Sequence, residues 1–152
     1  MATAPDESGP RPEPGWKRVR FGTPFLDSSG PYFVPEDAGQ RGLAMRVLPD
    51  HVNYVSAAHG GVLATFADVA LSYQLFLLEP GGLPITTISM AVNYLAPGKL
   101  DDWLMSEVRI DRLGGKIAHT SGRLFSGDTT LMTMTGVYNL LRPRAPNTTG
   151  KD

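Results

Sequence analysis

The 152-residue chain contains no cysteine. That excludes disulfides, thiolate metal sites and a cysteine nucleophile. Nor does one sign of charge dominate: 14 Lys and Arg against 15 Asp and Glu leave a formal net charge of −1. Like charges do not gather in blocks, so no nucleic-acid or anionic-membrane surface is indicated, although a small basic cluster is compatible with a phosphorylated ligand. Histidine is scarce, and His51, His59 and His119 are too dispersed to have metal-ligand spacing. No metal is therefore expected. The opening residues, MATAPDESGPRPEPG, have neither an apolar core nor a basic start. They do not read as a secretory signal, which makes a cytoplasmic location the expectation.

What is present fits one globular domain. Hydrophobic residues make up 41% of the chain and charged residues 19%, enough apolar matter at this length to close a core. Prolines crowd the first fifteen residues, and the end reads RPRAPNTTGKD. The expected layout is a disordered tail over 1–20, a domain over 21–142 and a flexible tail over 143–152.

Between the tails the pattern predicts a short strand at 42–48 and a helix from Gly60 to Leu78, broken by EPGG. Four strands follow in ITTISMAVNYLAP, DDWLMSEVRI, IAHTSGRLF and TTLMTMTGVYNLL, alternating and separated by short turns. The helix is apolar on nearly every side, so it needs more than one covering surface. It is also long enough to raise the question of a membrane span, but Asp68 near its middle, with Ser72 and Gln74, makes a buried helix the better reading. An antiparallel sheet wrapped around one long central helix satisfies these demands. This is the α+β hotdog arrangement.

Two features of the helix point to chemistry. His59-Gly60-Gly61 sets two residues without side chains where the first free N–H groups of a helix belong. Such a terminus stabilises an anion or a polarised carbonyl oxygen, and glycine lets a ligand come close. The same glycines would equally serve a plain strand-to-helix turn. Asp68 is the single charged residue from Gly60 to Leu78. A carboxylate in apolar surroundings needs a partner, and it suits the roles of nucleophile or general base toward water. Eight helical residues separate Gly60 from Asp68 by about 12 Å. Reacting groups must approach to about 3 Å. If both residues are catalytic, a second copy must bring its Asp68 to this Gly60, giving two equivalent sites across a two-fold interface.

The constellation Asn53, His59, Gly60, Gly61 and Asp68, with NYLAP downstream, resembles the phenylacetate-pathway type of hotdog acyl-CoA thioesterase, over residues 25 to 141. The resemblance implies that the Gly60 N–H polarises the thioester carbonyl and that the partner's Asp68 attacks or activates water. It gives Asn53 an orienting role. His59 would hold the turn or contact the leaving sulfur. A hydroxyl at the start of the next strand would assist the acid, and counting back from NYLAP points to Thr87, with Thr86 the neighbouring choice. Where relatives carry glycine between the Asn and the HGG, this chain has Ser56. Phe66, Leu71, Tyr73 and Phe76 are bulky enough to narrow an acyl pocket or simply to pack the core. Substrate contacts are expected from Gly61 and Thr86 and from Arg112 and Lys116 of the RLGGK segment, within a wider basic group of Arg109, Arg123 and Arg142.

The expected function is hydrolysis of an acyl-CoA thioester to a carboxylic acid and free CoA, with no cofactor, by an obligate homodimer or a homotetramer built as a dimer of dimers. No nucleic-acid or membrane partner is expected. The rival readings are a non-catalytic acyl-CoA-binding module, an acyl transferase and a hotdog hydratase or dehydratase. Retention of both Asn53 and Asp68 disfavours the first, and the HGG with Asp68 fits the thioesterase better than the last.

Overall fold

The computed structural model describes residues 9–143. The remainder of both expected tails lies outside the described residues. Seven strands, β1 (Trp16–Val19), β2 (Tyr32–Pro35), β3 (Ala44–Arg46), β4 (Ile85–Tyr94), β5 (Trp103–Leu113), β6 (Ile117–Ser126) and β7 (Thr129–Leu140), form one sheet. Their order is β1-β2-β3-β5-β6-β7-β4, antiparallel at every pairing. A short helix α1 (Pro24–Ser29) and the long helix α2 (Gly60–Phe76) complete the fold. This is the hotdog arrangement, with α2 packed on β4, β5, β6 and β7.

The alternation of the strands dictates the packing. In β7, Met132, Met134, Tyr138 and Leu140 are buried while Thr133 and Thr135 between them are exposed, as period two requires. Leu104, Ala118 and Leu124 from β5 and β6 join them. Against this surface α2 sets Leu63, Phe66, Ala67, Ala70, Leu71 and Leu75, all within one core cluster. Burial of Phe66 and Leu71, neither with any exposed surface, contributes about 1.5–3 kcal/mol each. Both are therefore core residues and do not line a cleft.

Three differences from the sequence expectations stand out. Strand β1 falls inside the stretch drawn as a tail over 1–20, pairing along its length with β2. Helix α1 and strand β2 were not foreseen either. And β4 does not form a hairpin with β5: residues 95–102 carry the chain away, and β4 pairs with β7 at the far edge. The short turns join β5 to β6 and β6 to β7.

Close strand approach is written into the sequence at Gly122. A methyl carbon there would lie 2.1 Å from the carbonyl oxygen of Glu107 and 3.0 Å from the Cα of Val108. Backbone cannot swing aside as a side chain can. Gly122→Ala is expected to cost about 2 kcal/mol or more, read as a lower urea midpoint with an unchanged slope.

Candidate active site

The turn ahead of α2 is built by side-chain bonds to its own backbone. Asn53 Oδ1 accepts from Val55 N at 3.0 Å and from Ala57 N at 3.2 Å. Ser56 takes a φ of +60°, the left-handed region that glycine enters freely and serine enters at a cost. Ser56 thus makes the bend that a glycine would make more easily. Ala58 N donates to Gly98 O at 2.8 Å, and His59 N to the buried His51's carbonyl oxygen at 2.8 Å. The loop is tied on both sides before the helix begins.

His59 is the N-cap of α2, its Nδ1 accepting from Gly61 N at 2.9 Å. That bond engages the Gly61 N–H. The Gly60 N–H has no acceptor among the described residues, so it is the open donor at the positive end of the helix. Tyr94 from β4 holds the same residue from its other side, donating to Gly60 O at 2.7 Å. A methyl carbon on Gly60 would sit 3.3 Å from that hydroxyl oxygen. The absence of a side chain at Gly60 is therefore spent on a close approach.

Asp68, two turns along, is half-buried. Thr87 Oγ1 donates to its Oδ1 at 2.9 Å and Tyr138 OH to the same oxygen at 3.1 Å. Among the described residues Oδ2 has no donor. Thr87 and Tyr138 are direct partners in the β4–β7 register, whereas Thr86 pairs with Asn139 and so lies on the opposite face. Burial holds the Tyr138 phenol well above its ordinary range, and the Asp68 charge and hydrogen bond raise it further. Tyr138 was not anticipated as a site residue. Its position matches a core tyrosine, and nothing local in GVYNLL marks its hydroxyl.

Asp68 and Thr87 line a cleft of about 480 Å³ whose apolar walls include Phe21, Leu26, Tyr73 and Phe76. Tyr73 packs edge-on against Phe21 at 5.7 Å and stacks on Phe76 at 6.2 Å between ring centroids. Of the four bulky helix residues, Tyr73 and Phe76 reach the cleft, joined by α1 and the segment before it.

Of the basic group, Arg109, Arg123 and Arg142 are bonded to Asp111, Glu107 and Glu79. Arg112 and Lys116 are exposed and form no ion pair among the described residues. Their turn lies at the Asp68 end of the sheet: Leu113, Ala118, Tyr138 and Thr87 follow one another in register across four strands.

Residues 55–133 match the thioesterase superfamily, and 128 residues are 35% identical to a Pseudomonas aeruginosa protein provisionally named an esterase, covering 83% of this chain and 95% of that one. The chain belongs to the thioesterase superfamily. It is an enzyme of the thioester-hydrolase class. It is also 30% identical over 77 residues to human acyl-coenzyme A thioesterase 13, spanning 51% of this chain and about half of that one, 54%. A phenylacetic acid degradation protein from Thermus thermophilus shares the fold with a TM-score of 0.65 at 20% identity, over 77% of this chain and 98% of that one. No helix among the described residues is long and apolar enough to cross a membrane.

The raised Tyr138 phenol has a consequence for stability. An unfolded tyrosine ionises near pH 10, where the folded Tyr138 keeps its proton. The unfolded state therefore binds fewer protons above about pH 10, and stability falls as pH rises. Tyr32 and Tyr73, also raised by burial, act in the same direction. Denaturant unfolding between about pH 10 and 12 is expected to show a shallower loss for Tyr138→Phe than for the natural protein.

Proposed function

We propose that the protein is an acyl-CoA thioesterase working as a homodimer, with each site shared between two copies. The observation that carries this is the state of α2 among the described residues: an unbonded Gly60 N–H at its start and, eight residues on, an Asp68 carboxylate with one oxygen held and one free. In a thioesterase these are the two groups the reaction needs, and about 12 Å of helix keeps them apart within one chain.

A second copy has a place to dock. β4 is an end strand of the sheet, and Ile88, Tyr94 and the adjoining Leu95 are each more than half exposed. An unpaired apolar edge of this length invites a partner. With the copies related by a two-fold axis, the thioester carbonyl rests on the Gly60 N–H of one protomer and faces Asp68 of the partner subunit. Either that carboxylate bonds to the carbonyl carbon and expels the CoA thiolate, leaving an anhydride that water hydrolyses, or it takes a proton from the water that attacks. Both routes end in a carboxylic acid and CoA. His59 fixes the turn, Asn53 orients the thioester or the water, and Thr87 supports the acid. Arg112 and Lys116 supply charge for the CoA phosphates, and the cleft beside Asp68 takes the acyl group. No metal or redox cofactor enters this scheme.

CoA release from acetyl-, octanoyl- and phenylacetyl-CoA, followed with a thiol reagent, tests the activity without background, since the chain has no cysteine. Asp68→Asn is expected to fold and dimerise but lose activity at least about 100-fold. Binding of acyl-CoA without release by the natural protein would favour a sensor or a transferase instead.

Sharing of the site has its own test. Gly60→Pro removes the N–H at the first helical position, where the backbone accepts proline, behind a His59 already extended at ψ 136°, and the half-exposed Tyr94 ring need yield only a few tenths of an ångström to the added carbon. Each single variant should be nearly inactive. Refolding Asp68→Asn and Gly60→Pro chains together should restore activity, because one site of each mixed dimer regains both groups. Sites contained within one chain would give no recovery.

A further inference from the structure

We infer that Tyr138, given room by Gly136, is a positioning residue for Asp68: with Thr87 it pins Oδ1 and leaves Oδ2 as the reacting oxygen. This rests on Asp68 being the catalytic acid, and adds which of its oxygens acts and what holds it.

The geometry begins two residues upstream. Gly136 and Tyr138 share the inward face of β7, and both are buried. A methyl carbon on Gly136 would lie 2.5 Å from Cε2 of the Tyr138 ring and 2.8 Å from its hydroxyl oxygen. The ring therefore lies back along its own strand, over the glycine. That fold-back carries the hydroxyl to Asp68 Oδ1, 3.1 Å away, and to within 3.5 Å of the Asp68 carbonyl oxygen. Any larger residue at 136 would occupy the space the ring uses.

The second donor comes from the neighbouring strand. Thr87 reaches the same oxygen at 2.9 Å and is registered opposite Tyr138, so the two donors are fixed relative to one another by the β4–β7 ladder. An aspartate carboxylate otherwise turns broadly about its last torsion. Two donors on one oxygen select one orientation and one reacting oxygen. They differ in kind: Thr87 is exposed, whereas Tyr138 has no exposed surface. A buried phenol loses little freedom on making its bond and meets little competition from water.

The variants Tyr138→Phe, Thr87→Val and the double variant should be compared with the natural protein and Asp68→Asn, using whichever of the three acyl-CoAs is turned over fastest. Tyr138→Phe removes one oxygen from the core and keeps the ring. Its kcat is expected to fall about 10- to 100-fold, the scale of a misdirected reacting group, with KM unchanged within about twofold. Because both donors serve one orientation, the double variant should lose less than the product of the two single losses. A natural kcat in Tyr138→Phe overturns the inference, as does a loss confined to KM or a fully multiplicative double variant. Near-natural turnover in Asp68→Asn is a different failure: it removes the catalytic acid itself, whatever Tyr138 does.

Discussion

A carboxylate set in an apolar helix must find donors from outside that helix, and this single requirement organises the β4–β7 half of the protein. Within α2 every backbone N–H near Asp68 is already committed to the helix, so its partners have to come from the sheet. Thr87 and Tyr138 supply them from two different strands. For both hydroxyls to meet one oxygen, the two residues must face each other across a ladder. That holds because β4, after the helix, pairs with the last strand and not with the next one. The chain crossing over residues 95–102, which looks wasteful beside a hairpin, is what places Thr87 against Tyr138.

The same strand pair steadies the other end of the helix. Tyr94, at the end of β4, donates to Gly60 O, and the 95–102 connection that follows accepts from Ala58 through Gly98. The start of α2 is thus held by the outgoing end of the strand whose beginning holds Asp68. His59 takes the Gly61 N–H for its cap, leaving the preceding N–H open. On the proposed reading this division matters: the cap satisfies one orphan donor and spares the one that polarises the carbonyl. A carboxylate and an open N–H held rigidly at this separation do not meet within one chain, so rigidity itself argues for the second copy.

Much of this was legible in the amino-acid order. The helix showed as an apolar run closed by EPGG and the four long strands as alternating stretches, and HGG with Asp68 and NYLAP named the family. Local signals carried those readings, because glycine at a helix start and alternation along a strand are properties of neighbours in sequence. What did not show depends on distant parts of the chain. β1 and β2 have four residues each and α1 six, too short for a period to emerge, and they are stabilised by pairing and packing. The edge position of β4 is a matter of topology, which strand spacing alone does not specify. Tyr138 reads as core because its ring is core. Only the fold shows that its hydroxyl reaches a residue seventy positions earlier.

The short N-terminal elements also change how the cleft is understood. Read from the helix alone, Phe66, Leu71, Tyr73 and Phe76 form one bulky set. The fold divides them: Phe66 and Leu71 turn wholly into the core, while Tyr73 and Phe76 face the space beside Asp68. Opposite them stand Phe21 and Leu26, from a stretch with no visible signature. Gly82 belongs to the same construction, because a methyl carbon there would fall 2.0 Å from the Phe76 ring, so the turn that ends α2 also seats one wall of the cleft. Acid and cleft are therefore built by different logic. The acid is held by long, registered strands that admit little change, whereas the cleft is walled partly by a short helix and a turn. Loops and short elements tolerate substitution better than a sheet interior. On the proposed reading the acyl group accepted is set by residues around Phe21 and Phe76, and can be altered there without disturbing Asp68.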